Sequence, residues 1–320
     1  MRERELTVGA PTFNTFAEVF GPKCLSRKDR GRNDWGYRMR LASYALRGRP
    51  SFGAVVGEAI VDLRPRLPRF HSLLDIFRAQ ALDQARAASE GVRTDVMLAE
   101  VELLPPFSAP EKILCIGINY ANRGQDYNVT NNPKYPSMFY RAPSSLVGSG
   151  HKLIRPKISE QLDYEGEIAI VIGRNCKHVP KEGALDVIAG LTLCNEGTIR
   201  DWTRHGQFNV TQGKNFDASG GIGPWIETDI DLTKPLALVV RKNGEVTQQD
   251  TTASMIFSFA DIIAYTTSFM TLKAGDIICT GTPVKKTAKS DPPVWLKQGD
   301  TIEVECPEIG VLRNTVVDET

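Results

Sequence analysis

The stretch that decides the fold is Leu162–Gly173, "LDYEGEIAIVIG". Its second half, Ile168-Ala169-Ile170-Val171-Ile172, reads as a core strand, yet the chain enters it through Asp163, Glu165 and Glu167. Successive side chains of an extended chain point to opposite faces, so the three carboxylates share one face and Leu162, Tyr164 and Gly166 the other. Burying like charges together costs roughly several kcal/mol unless a cation or a proton relieves them. A divalent cation is the simplest relief; the competing reading is a strand face open to solvent.

Outward from this strand, the chain alternates short apolar runs with turn residues. "KILCIGINY", "AGLTLCNE", "LALVVRKNGEVTQQ", "DIICTGTP" and "DTIEVEC" are further strands. Asn243-Gly244, between alternating residues, predicts a type I′ hairpin. "SFADIIAYTTSFM" predicts a helix with Phe259, Ile262, Ile263, Thr266, Phe269 and Met270 on one face and a Ser258/Asp261 capping box. "LKAGDIICTG" and "LKQGDTIEVE" reuse one turn into a strand. Many strands with few helices indicate a β-rich α+β protein rather than a doubly wound sheet.

Residues 1–38 lack either periodicity and are expected to be a flexible extension. Residues 39–107 are expected to form a small N-terminal α+β domain, in which "FHSLLDIFRAQALDQARAA" sets Leu73, Leu74, Ile76, Phe77, Ala81 and Leu82 at helical spacing. "LLPPFSAPEK" is the linker into a larger domain over 108–320.

The 320 residues carry 41% apolar and 24% charged side chains with a formal charge of +1, so no global field draws in nucleic acid or an anionic membrane. No apolar run approaches the roughly 20 residues that span a bilayer. "MRERELTVGAPTFNTF" has no secretory pattern, and a cytoplasmic location is expected. The six cysteines form no C-x-x-C pair; Cys115, Cys194, Cys279 and Cys306 sit in apolar surroundings and read as small core residues. With no glycine-rich phosphate cradle either, the expected partner is a small molecule.

A third carboxylate, Glu196, ends the strand "AGLTLCNE". With Glu165 and Glu167 it forms an all-oxygen donor set, suited to Mg²⁺, Mn²⁺ or Ca²⁺ rather than zinc or copper. These motifs, with "NEGTIRDW", "GKNFD", "MIFSFADIIAYTTSFMTLKAGDIICTGTP" and "LKQGDTIEVE…GVLRNTVV" in that order, resemble the fumarylacetoacetate hydrolase family from about Met39 to the C-terminus. The resemblance implies a mixed β-sandwich roll, a homodimer, and a Mg²⁺ or Mn²⁺ site with Glu165, Glu167 and Glu196 as ligands. It implies 2-oxo or β-diketo acid substrates, with Lys214 contacting the substrate or its developing oxyanion. Gly281 and Thr282 of "TGTP" then meet the substrate carboxylate. Arg141 of "MFYRAP" is a basic residue able to pair with a carboxylate, or else a surface charge.

The chain departs from that pattern in three places. Where relatives carry N-Y-x-x-H-x-x-E, it reads "NYANRGQD", with Arg123 for the histidine and Asp126 for the glutamate. Arginine stays protonated and cannot act as a general base. That leaves Asp126 as a proton acceptor, Arg123 as a partner for a second substrate carboxylate, and His205 as another candidate acid or base. Glu196 stands where an aspartate is usual and Thr203 where a glutamine is. The leading expectation is a metal-dependent enzyme that cleaves a C–C bond of a 2-oxo or β-diketo acid, by hydrolysis or decarboxylation. The alternatives are an isomerase or tautomerase of an unsaturated 2-oxo dicarboxylate, and a catalytically silent binding homologue.

Overall fold

The structure is a computed structural model that describes residues 38–123, 131–206, 209–286 and 294–320. Among these residues the larger sheet has twelve strands. Its main path runs Val96–Met97, Ala59–Asp62, Arg49–Val56, Arg40–Leu46, Gly220–Glu227, Ile188–Asn195, Gly166–Ile172, Ile277–Cys279, Ile113–Gly117 and Ser137–Tyr140. Most pairs are antiparallel, but Ile277–Cys279 runs parallel to Ile113–Gly117, so the sheet is mixed. A five-stranded sheet packs on it in the order Glu245–Thr251, Ala237–Lys242, Thr301–Cys306, Gly310–Asp318 and Lys152–Arg155. The fold is the expected β-rich one.

The decisive strand lies near the middle of the large sheet, and its alternation feeds two cores. Ile168, Ile170 and Ile172 enter one core with Leu191 and Leu193 of the neighbouring strand, Val240 and Val304 of the small sheet, and Ile262 and Ile263. Ala169 and Val171 enter the other with Cys115, Cys194, Cys279, Leu73 and Phe77. A strand buried on both faces needs apolar residues at every position, which explains the uninterrupted run. Gly166 keeps its place for a related reason: a Cβ there would stand 2.2 Å from Val240 Cγ2, so the small sheet approaches too closely for a side chain.

Arg40 and Leu41 pair with Glu227 and Ile226. Residues 39–107 and 108–320 thus supply strands to one sheet, and the boundary expected near Phe107 lies within a shared core. The expected helical stretch of residues 70–88 gives two helices, Leu73–Arg78 and Leu82–Ser89, with Gln80 between them at φ +52°. The helix Phe259–Phe269 forms with the Ser258/Asp261 capping box, but Phe269 is 53% exposed while Thr267 is buried. Asn243 and Gly244 both have positive φ, as a type I′ turn requires. The two L-K-x-G-D segments repeat one bonding pattern: Lys273 and Lys297 N–H donate to the Asp276 and Asp300 carboxylates. Among the described residues, no helix is long and apolar enough to cross a membrane.

Candidate active site

Glu165 and Glu196 are brought together by their strands. Gly166 pairs with Asn195, and one step further Glu196 N–H donates to Glu165 C=O at 2.7 Å while Glu165 N–H donates to Asn195 Oδ1 at 3.0 Å. Glu167, two residues along, points to the same side as Glu165. The three carboxylates open into a cavity of about 400 Å³, also lined by Arg123, Arg200, Lys214 and Thr282. All three glutamates are at most 4% exposed.

Cations compensate two of the three. Glu165 Oε1 accepts from Arg123 Nη2 and Arg200 Nη2, each at 2.6 Å; its Oε2 accepts from Lys214 Nζ and from Thr198 Oγ1 at 3.1 Å. Glu196 accepts from Lys214 Nζ at 3.0 Å and Arg141 Nη1 at 3.3 Å. Burial would raise the Glu165 carboxyl, but Arg200, Lys214 and Arg123 outweigh it and hold it well below the usual range. Burial would likewise lower Lys214, but Glu165 and Glu196 raise it above an ordinary lysine, so its ammonium stays charged. Among the described residues no cation pairs with Glu167, whose Oε2 accepts only from Gly281 N–H at 2.8 Å. Burial, then the charges of Glu196, Cys194 and Glu165, push its carboxyl well above the ordinary value.

No group of three or more His, Cys, Asp or Glu side chains among the described residues is arranged as a metal shell. The donor chemistry nevertheless fits a hard dication. Three carboxylates face one cavity, and the one without a cation resists ionisation, as expected where positive charge is missing.

The remaining expected residues divide by position. Thr282 lines the cavity, and Gly281, at φ +100°, aims its N–H at Glu167; a Cβ there would stand 2.7 Å from Asn119 Cβ. Thr203 also lines the cavity. Arg141 is buried, does not line it, and spends its donors on Glu196, Gly197 C=O, Ser145 and Ser219. His205 does not line it either and packs against Trp202 with the rings tilted by 44° and centroids 4.3 Å apart, beside the lining residue Gly206. Asp126 lies outside the described residues, as do residues 1–37.

Three residues here were not singled out from the sequence. Arg200 bridges Asp163 (Nε to Oδ2, 2.7 Å) and Glu165 at the cavity wall. Its signal was its place two residues beyond Thr198, where the short strand paired with Leu162–Asp163 begins. Gln248 and Lys285 come from distant segments, and no local pattern marks them.

Residues 112–317 match the family model described as fumarylacetoacetate (FAA) hydrolase C-terminal. The chain is 36% identical over 267 residues to the mitochondrial oxaloacetate tautomerase of Rattus norvegicus, covering 82% of this chain and 85% of that one. Among solved structures, a fumarylacetoacetate hydrolase from Exiguobacterium antarcticum superposes with a TM-score of 0.74 at 31% identity, covering 88% of this chain and all of that one. A 2-hydroxyhepta-2,4-diene-1,7-dioate isomerase from Mycobacterium marinum superposes at 0.67 with 29% identity, covering 88% and 99%.

Proposed function

From the premise that this chain belongs to the fumarylacetoacetate hydrolase family, we propose that it is a divalent-metal-assisted tautomerase or isomerase of 2-oxo dicarboxylic acids. The observation that carries this reading is Arg123. At the position where the family resemblance places a water-activating histidine stands a guanidinium that lines the cavity with Arg200 and Lys214. A permanently charged side chain cannot take a proton from water, but it suits a second substrate carboxylate. The names of the rat and Mycobacterium marinum relatives support the same reaction class.

Glu165, Glu167 and Glu196 would hold Mg²⁺ or Mn²⁺, which when bound supplies Lewis-acid polarisation of the 2-oxo group. Arg200 and Thr282 orient the carboxylate next to that group, and Arg123 takes the distal one. Lys214, charged near neutrality, donates a hydrogen bond to the oxygen where negative charge gathers as the C3 proton leaves. Asp126 is the proposed acceptor of that proton. The reaction moves a proton and breaks no C–C bond, so it needs no activated water. The homodimer implied by the resemblance is part of this proposal.

The test is product analysis by NMR on oxaloacetate, acylpyruvates and unsaturated 2-oxo diacids, with Mg²⁺ and with Mn²⁺. Tautomer or isomer interconversion without fragmentation is expected. Rapid release of pyruvate and a second acid from an acylpyruvate would instead establish C–C hydrolysis, in keeping with the hydrolase name of the Exiguobacterium structure.

A further inference from the structure

The strands Gly166–Ile172 and Ile277–Cys279 pair antiparallel, with Ile170 opposite Ile278 and Ala169 opposite Cys279. Beyond the ladder the two segments stay bonded as far as Gly281. Thr280 donates to Ile168 C=O through its N–H (3.2 Å) and its Oγ1 (2.7 Å), and Gly281 N–H donates to Glu167 Oε2. Four residues on, Lys285 donates Nζ to Asp163 Oδ1. Lys285 is 9% exposed, its ammonium stands 4.0 Å from the centre of the Tyr164 ring, and Lys286 N–H anchors the backbone to Thr247 C=O at 2.8 Å. It does not line the cavity, but Asp163 also accepts from Arg200, which does.

We infer that Lys285 is a positioning residue that acts through Asp163 on Arg200 and thereby sets the affinity of the cavity for the anionic end of its substrate. Arg200 lies between two carboxylates, Asp163 and Glu165. An Asp163 with no other cation would draw the whole guanidinium towards itself and cancel its charge as felt in the cavity. Lys285 takes one Asp163 oxygen and leaves the other to Arg200 Nε, so Arg200 is anchored through Nε to Asp163 and through Nη2 to Glu165 at the cavity wall. A buried lysine is costly, and burial, with Arg200 and Arg123 adding to it, lowers this one to about 8 against the pull of Asp163. A charge kept at such a cost, one side chain away from the cavity, is consistent with a role in the site.

The inference rests on the reading of the cavity as a 2-oxo acid site, and the experiment separates the two. Steady-state kinetics on oxaloacetate with Mg²⁺ compare wild type, Lys285→Met and Lys285→Arg, with calorimetric titration of the same dicarboxylate into each. Met keeps an unbranched side chain of similar length and removes the charge. Lys285→Met should raise KM and Kd about tenfold with kcat within about twofold, the scale of one lost charge-assisted contact. Lys285→Arg should recover most of that loss. Where Lys285→Met does not fold, Lys285→Gln reads the same ratio. Unchanged KM in an active, folded variant, or a fall in kcat that Arg does not rescue, overturns the inference alone. A wild type that neither turns over nor binds a 2-oxo dicarboxylate overturns the parent reading and this one with it.

Discussion

Gln248 donates its side-chain amide to Thr282 Oγ1 at 2.9 Å, and its Oε1 accepts from Gly166 N–H at 3.2 Å. The same Nε2 reaches Pro283 C=O at 2.5 Å. Here the segment before Glu167 and the one after Gly281 draw apart, and a fully buried amide takes the place of the missing ladder bond. The split puts Thr282 on the cavity wall.

Gln248→Ala removes the bonds to Gly166, Thr282 and Pro283 at once and leaves the buried Gly166 N–H without an acceptor. A stability loss of about 1–3 kcal/mol is expected, with a rise in KM as Thr282 loses its support. Urea unfolding together with kinetics checks this; a variant as stable as wild type would show that Gln248 does not bridge the split.

Glu167, a proposed metal ligand, is expected to cost stability in the metal-free protein. Its folded carboxyl titrates above its ordinary 4.5, so the folded protein holds the proton more tightly and stability falls as pH rises through that window. Without metal at neutral pH, Glu167→Gln should raise the Tm, by roughly 2–4 °C for each kcal/mol relieved, while abolishing Mg²⁺ and Mn²⁺ binding. A lower Tm for the metal-free variant at pH 7 would refute the account.

Arg123→Ala should raise KM for 2-oxo dicarboxylates more than for monocarboxylates, by about 1.5–3 kcal/mol, or roughly 10- to 100-fold. Equal losses on both substrate types would place the distal carboxylate elsewhere. Glu165 keeps Arg200 and Lys214 in this variant, so the fold should hold.

Asp163 has the opposite sign from Glu167. Burial would raise its carboxyl, but Lys285 and Arg200 hold it at about 2, below its ordinary 3.8. That stabilisation is present in full above 3.8 and is lost as pH falls through 2, and it amounts to about 2 kcal/mol. Asp163→Asn should therefore be less stable than wild type at pH 7, with the gap narrowing between about pH 4 and 2. A gap of constant size in urea unfolding across that range would assign the loss to packing instead.

Gly166→Ala should destabilise the protein by about 1–3 kcal/mol, because the added methyl meets Val240 and Val304 of the opposing sheet. Thermal unfolding reads it directly. An unchanged Tm would mean that the sheets separate at little cost.

What the sequence determined by itself was whatever rests on bonds between near neighbours. The Asn243-Gly244 turn, the Ser258/Asp261 cap and the repeated L-K-x-G-D turn each close within a few residues, so composition and spacing suffice to place them. The run Ile168–Ile172 likewise identified itself as core, and the carboxylates at its entry marked the place of the cavity. Local reading failed where a distant contact overrode periodicity: Thr267 is turned inward, where its Oγ1 accepts from Val179 N–H at 3.0 Å, and Phe269 is left outside. Only the tertiary structure decided which cation meets which carboxylate. Lys285 and Asp163 are 122 positions apart and Gln248 and Gly166 are 82, and they meet because the fold brings distant segments together, Gln248 from the five-stranded sheet and Gly166 from the twelve-stranded one. Charge attraction between buried groups is strong but not specific in sequence, so the order of strands, and no local pattern, selects the partner.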